Sequence, residues 1–170
     1  MKRRWLILFS VVCLYTECIA EITVTNYAEE QTKSDKKSTL HKQSITNACW
    51  EQAEKTYGVP AKLLVAIAKV ETNFRPRTIS KPNKNGSYDI GLMQINSYWL
   101  PTLSKYGISE IDLLQPCTNV MVGAWILSSN INRLGYNWNA IGAYNAKTNW
   151  KRDKYAKKVH QAIIELGYNN

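Results

Sequence analysis

The sequence predicts a mainly α fold, with short helices around a central buried helix and one small β-hairpin. Three observations predict it. Residues 61–70 are apolar nearly all round, which fits a helix buried on every side. Apolar residues recur at helical spacing in several further segments punctuated by Gly and Pro. A polar, turn-rich stretch over residues 72–90 carries Asn85-Gly86, a dipeptide suited to a hairpin turn. The chain has 170 residues, of which 45% are hydrophobic and 21% charged, so one packed domain fits and a disordered or many-span membrane chain does not.

The first twenty residues read as an export signal. Lys2, Arg3 and Arg4 precede an apolar run from Trp5 to Tyr15, and Cys18-Ile19-Ala20 offers small residues at a cleavage point. Glu17 cuts the run short of the ~20 apolar residues that span a bilayer. We therefore expect cleavage after residue 20 and no lasting membrane anchor. Removing Lys2, Arg3, Arg4 and Glu17 leaves 19 basic against 12 acidic residues, a charge of +7. It also removes Cys13 and Cys18. Cys49 and Cys117 then remain, and in an oxidising compartment the two are expected to pair. Residues 21–43 are rich in Glu, Lys, Thr, Ser and Gln, cannot bury enough surface to offset ordering entropy, and read as a tether. The folded domain is expected over 44–170.

Within it, Ser44 can cap a helix running to Tyr57, with Ile45, Ala48, Cys49 and Ala53 on one stripe and Gly58 after its end. Pro60 suits the start of the central helix, Ala61 to about Val70, which should stop near Glu71 because Pro76 follows. Further helices are expected over Tyr98 to Lys105, Pro116 to Leu134, Trp138 to Ala146 and Lys151 to Leu166.

Glu71 follows an apolar helix, where lost hydration would favour its neutral form and make it a proton donor near neutral pH. Asp89, just past Asn85-Gly86, is a second carboxylate. Two carboxylates facing one groove are equipment for breaking a glycosidic bond. By position alone each has a plainer reading, Glu71 as a solvent-facing helix end and Asp89 as a turn residue bonding its own backbone. Trp50, Trp99, Trp125, Trp138, Trp150 and ten Tyr suit a sugar-lined groove, though most fall at core spacings.

Glu71-Thr72-Asn73-Phe74, then Asp89-Ile90-Gly91-Leu92-Met93-Gln94-Ile95-Asn96, then Ala143-Tyr144-Asn145-Ala146 resemble, in order, three signatures of the lysozyme-like lytic transglycosylases. The similar region covers roughly residues 44 to 166. The resemblance is to the small specialised members that accompany type III secretion, conjugation and pilus systems, and the stretch around Cys117-Thr118-Asn119, Gly123 and Trp125 looks like them too. It implies an α+β lysozyme-like fold, Glu71 as catalytic acid and base, Met93 and Gln94 lining a sugar groove, Tyr144 hydrogen-bonding near Glu71, and Asn145 supporting the same wall. The implied substrate is peptidoglycan, cut between N-acetylmuramic acid and N-acetylglucosamine in the periplasm, with no metal and no cofactor. A secretion-system component is an implied partner. Thr72 and Lys147 stand where many relatives carry Ser and Gly. Asp89 resembles the second carboxylate of c-type lysozymes, so hydrolysis by water competes with an anhydro-forming transglycosylation. A third reading is a non-catalytic basic binding module. The run Lys147 to Lys158, with six basic residues and Asp153, reads instead as a solvated face whose Trp150, Tyr155, Val159, Ile163 and Leu166 turn inward. Export argues against a nucleic-acid partner. His41 and His160 lie far apart, which disfavours a zinc site.

Overall fold

The computed structural model describes residues 31–33, 36, 47 and 49–168. The chain divides into two units, Met1–Ser44 and Ile45–Asn170. In the first, residues 31–33 and 36 are helical and exposed. The expected export signal, most of the expected tether, and the capping role of Ser44 with stripe positions Ile45 and Ala48 lie outside the described residues. The second unit holds the hydrophobic core.

Helix α1 covers residues 49–57. Gly58 ends it at φ 68°, where its N–H donates to the Glu54 carbonyl at 2.8 Å. Helix α2, Ala61–Thr72, starts after Pro60 and is the central element, with Leu63, Leu64, Ala66, Ile67 and Ala68 buried. Each large aliphatic side chain removed from water this way contributes about 1.5–3 kcal/mol. The helix runs two residues past the expected stop. Pro76 constrains only its own neighbour, and the real terminator is Asn73, left-handed at φ 50° and ψ 48°. Glu71 therefore belongs to the last helical turn.

Strands β1 (Asp89–Ile90) and β2 (Ile95–Asn96) pair antiparallel, with Asp89 opposite Asn96 and Ile90 opposite Ile95. Ile79 adds an isolated bridge to Ile90. Here the position of the turn differs from expectation. Asn85-Gly86 does turn the chain, within a loop closed by Asn83 N–H to the Ser87 carbonyl at 2.6 Å, but this loop leads into β1. The hairpin itself is turned by residues 91–94, through left-handed Gly91 (φ 77°) and Gln94 (φ 51°). That turn is buried and apolar at Leu92 and Met93, so it lacks the polar composition that marks turns in sequence.

Short helical pieces continue the chain: a 3-10 turn at Ser97–Trp99, α3 at Leu100–Leu103, and 3-10 turns at Ser104–Tyr106 and Asp112–Leu114. Helix α4 spans Pro116–Leu134, as the sequence predicts. Helix α5, Trp138–Gly142, is shorter than expected, because residues 143–145 close as turns onto its carbonyls. Helix α6 spans Asn149–Glu165. On it Tyr155 and Val159 turn inward as expected, whereas Trp150, in the first turn, is exposed. α2 packs against α6 and α4, and α5 packs against both α4 and α6. Cys49 of α1 and Cys117 of α4 form the expected disulfide, their Cα atoms 5.2 Å apart.

Candidate active site

The last turn of α2, the β-hairpin, the segment after α5 and the middle of α6 meet around Glu71. The end of α2 is fastened there by Thr72, whose buried hydroxyl donates to the Leu92 carbonyl at 2.8 Å. The hydroxyl that Thr retains in place of Ser thus ties the helix to the hairpin turn. Arg75 adds a bond from Nε to the Thr72 carbonyl at 3.0 Å.

Glu71 itself is largely withdrawn from water. Its Oε1 accepts a hydrogen bond from the Tyr155 hydroxyl at 2.5 Å. Burial pushes its pKa up from 4.5 to about 7; the Tyr155 bond and the Lys158 charge pull it back, and the charge of Asp89 adds to the rise. The carboxyl therefore exchanges its proton near neutrality, as a group that acts first as acid and then as base requires. Asp89 lies across the cleft at the start of β1. Its Oδ1 accepts from Asn96 Nδ2 at 2.7 Å, and its own N–H donates to Ser80 Oγ at 2.9 Å. The cross-strand pairing of Asp89 with Asn96 is what aligns that contact.

A cleft of about 370 Å³ gathers Glu71, Asp89, Gln94, Asn96, Tyr144 and Asn145. Trp99, Asn83, Ile95 and Ile126 complete its wall. Five of the residues singled out from sequence thus converge. Gln94 is held in its left-handed conformation while its Nε2 donates to the carbonyls of Gly91 at 2.9 Å and Thr78 at 3.1 Å. Asn145 is exposed at the rim.

Two placements correct the sequence reading. Met93 does not line the groove: its side chain is fully buried beneath the wall, packed toward Gly123, where an added Cβ would come within 2.6 Å of the Met93 sulfur. The residue acts through its backbone, the N–H donating to Asn119 Oδ1 at 2.7 Å and the carbonyl accepting from the Tyr144 hydroxyl at 2.9 Å. Tyr144 is thereby engaged with the hairpin turn, and the bond to Glu71 comes from Tyr155, on which the Tyr144 ring stacks at 6.4 Å. Lys147 is not among the left-handed positions, so the backbone of this chain does not call for glycine there.

Sequence reasoning placed Tyr155 in the core and gave Asn119 no separate role. A usable signal existed for both. A buried tyrosine hydroxyl needs a partner, and an Asn on the apolar stripe of a helix needs several. Asn119 is wholly buried and spends its side chain on the hairpin turn: Nδ2 donates to the carbonyls of Ile90 at 2.9 Å and Leu113 at 2.8 Å, and Oδ1 takes the Met93 N–H. Gly91 makes room for it, since a Cβ there would fall 2.2 Å from Asn119 Nδ2. Among the described residues, no three His, Cys, Asp or Glu side chains gather into a group able to hold a metal ion. Among them, too, no helix is long and apolar enough to cross a membrane.

The family model for the transglycosylase SLT domain matches residues 48–166. Invasion protein IagB of Salmonella typhimurium is 51% identical over 123 residues, covering 69% of this chain and 76% of that protein. Protein IpgF of Shigella flexneri is 37% identical over 123 residues, covering 69% and 80%. A peptidoglycan-binding-like protein of Escherichia coli O157:H7 is 39% identical over 132 residues, covering 71% and 79%. The solved lytic transglycosylase Slt of Pseudomonas aeruginosa, an inactive mutant, shares the fold with a TM-score of 0.58 at 22% identity; the likeness covers 72% of this chain and 24% of that longer one. With the family model matched across nearly the whole of the second unit, the chain belongs to the transglycosylase SLT domain family and is a lytic transglycosylase, an enzyme of peptidoglycan.

Proposed function

We propose that this enzyme cleaves the β-1,4 bond between N-acetylmuramic acid and N-acetylglucosamine and leaves a 1,6-anhydromuramyl end. The observation that carries the reading is Glu71, partly buried in the cleft, bonded by Tyr155 and with its pKa raised to about 7. The Tyr155 hydroxyl occupies Oε1, so Oε2 carries the proton to be delivered. Protonation of the bridging oxygen breaks the glycosidic bond as positive charge develops on the muramyl ring. Asp89 and its Asn96 partner face that charge from the opposite wall, and the muramyl acetamido group assists from the substrate side. Glu71, now a carboxylate, removes the proton from the muramyl C6 hydroxyl, which closes on its own anomeric carbon. An internal nucleophile needs orientation more than a second enzymic base.

The likeness to proteins named for invasion supports a further step: the enzyme opens the wall locally for a secretion or pilus apparatus, with a component of that apparatus as partner. The disulfide and the basic, apolar N-terminal run support the periplasm as its place of work.

Mass spectrometry of the products from purified glycan tests the chemistry. Anhydro ends weigh one water less than reducing ends. Anhydro products from wild type, loss of roughly 10³-fold in Glu71→Gln and a partial loss in Asp89→Asn are expected. Asp89 in the same cleft favours one competing reading, hydrolysis with water as nucleophile. Wholly reducing ends would establish that reading, and near-wild-type turnover by folded Glu71→Gln would remove Glu71 from its role.

A further inference from the structure

The outer side of α5 and α6 carries a hollow of about 570 Å³, larger than the cleft, lined by Trp138, Asp153, Ala156, Lys157, His160 and Gln161. None of these side chains takes part in the reaction derived above. Helix phase separates the two sites: Tyr155, which reaches Glu71, stands two positions from both Asp153 and Lys157, about 200° around the helix from each. The hollow is thus not an extension of the cleft.

Its construction is specific. Trp138 is 45% exposed, and the His160 ring meets it at right angles, 5.2 Å between centroids. The backbone that carries the indole is fixed, because Trp138 opens α5 directly after Asn137, whose Oδ1 accepts from Ala140 N–H at 3.0 Å and whose Nδ2 donates to the Leu134 carbonyl at 2.7 Å. Ala156, 5% exposed, forms a shallow floor, while Asp153, Lys157, His160 and Gln161 are exposed around it. A single aromatic among four polar side chains is a poor seat for a lipid chain. One carboxylate and one ammonium cancel, so the hollow does not select a polyanion. A pyranose ring does match it, with a C–H face to lie on indole and hydroxyl and acetamido groups for the carboxylate, ammonium, imidazole and amide.

We infer that the Trp138–His160 hollow on the outer face of α5 and α6 is a second glycan-binding site, which takes N-acetylated saccharide of the cell-wall polymer and keeps the enzyme on an insoluble strand network between cuts. The inference rests on peptidoglycan being the substrate, and a second weak contact on the same polymer raises retention by effective concentration.

The test compares insoluble and soluble substrate. In the Glu71→Gln background, Trp138→Ala is expected to weaken cosedimentation with purified peptidoglycan sacculi at least fivefold, with Trp138→Phe intermediate. In active enzyme, Trp138→Ala is expected to slow solubilisation of sacculi several-fold and leave turnover of short soluble glycan chains within twofold. His160→Ala, an exposed change that removes the edge contact to Trp138 and the imidazole from the lining, is expected to loosen sacculus binding in the same direction. Unchanged sacculus binding in Trp138→Ala and His160→Ala, or equal losses on soluble and insoluble substrate, overturns the second site. Failure of wild type on soluble glycan would instead strike the proposed reaction, which the binding measurement does not depend on.

Discussion

Glu71 holds its proton to about pH 7 through opposed influences, and each can be removed separately. Burial dominates. The Tyr155 hydroxyl stabilises the carboxylate, so Tyr155→Phe should raise the pKa further. The alkaline limb of kcat/KM, expected near pH 7 in wild type, should then move upward, and kcat should fall because the carboxyl becomes a weaker acid toward the bridging oxygen. A pH–rate profile checks both; an unmoved limb would show the phenol to be packing only. Stability reports the same group. The folded carboxyl binds its proton more tightly than the ordinary 4.5 of an unfolded chain, so this contribution is full below about 4.5 and is lost as pH rises through about 7. The difference between those two values corresponds to roughly 3 kcal/mol. Urea unfolding at pH 5 and pH 8 should show wild type losing stability across that window, while Glu71→Gln, neutral throughout, should not.

At the scale of elements, the hairpin turn at 91–94 is the piece on which the wall of the cleft is built, and one side chain of α4 holds it. Asn119→Ala removes three buried hydrogen bonds, the one from the Met93 N–H and those to the Ile90 and Leu113 carbonyls. Loss of about 3 kcal/mol or more is expected in denaturant unfolding. Asn119→Asp keeps the acceptor but loses both donors, and should also destabilise. Two glycines divide differently. Gly91→Ala would place its Cβ 2.3 Å from the Leu113 carbonyl at φ 77°, with no flexible group to yield, so it should prevent folding. Gly123→Ala meets only the flexible end of Met93 and the Tyr144 hydroxyl at 3.1 Å. It should fold, with lowered kcat as the Met93–Tyr144 contact shifts. Circular dichroism and turnover separate the two.

Legibility in the sequence divides along the same line between contiguous signatures and docking. The bounds of α4 could be read because Pro116 and Gly135 punctuate a long apolar period. The membership of the cleft could be read because Glu71, Asp89, Gln94, Tyr144 and Asn145 sit in short contiguous signatures. Pattern could not show which way Met93 turns, nor that the phenol on Glu71 comes from α6. Both depend on how helices dock after they form. A buried apolar turn also has no compositional mark, so Asn85-Gly86 drew attention away from it.

For the molecule as a whole, the Cys49–Cys117 bond joins α1 to the start of α4 across 68 positions. Chain-entropy reasoning gives such a closure about 4 kcal/mol. Replacing both cysteines with Ala should lower unfolding stability by that order, with the active-site chemistry unaltered at temperatures where the protein stays folded. Equal stability of the two forms would show that the unfolded chain is not restrained by the link. The bond between Glu71 and Tyr155 spans 84 positions. A chain delivered from its N-terminus presents that glutamate long before the helix that shelters it. If Glu71 is the acid proposed above, a copy truncated before α6 lacks the phenol and the cover that hold its proton, so it should fail to cut the wall, and turnover by a chain ending at residue 148 checks this.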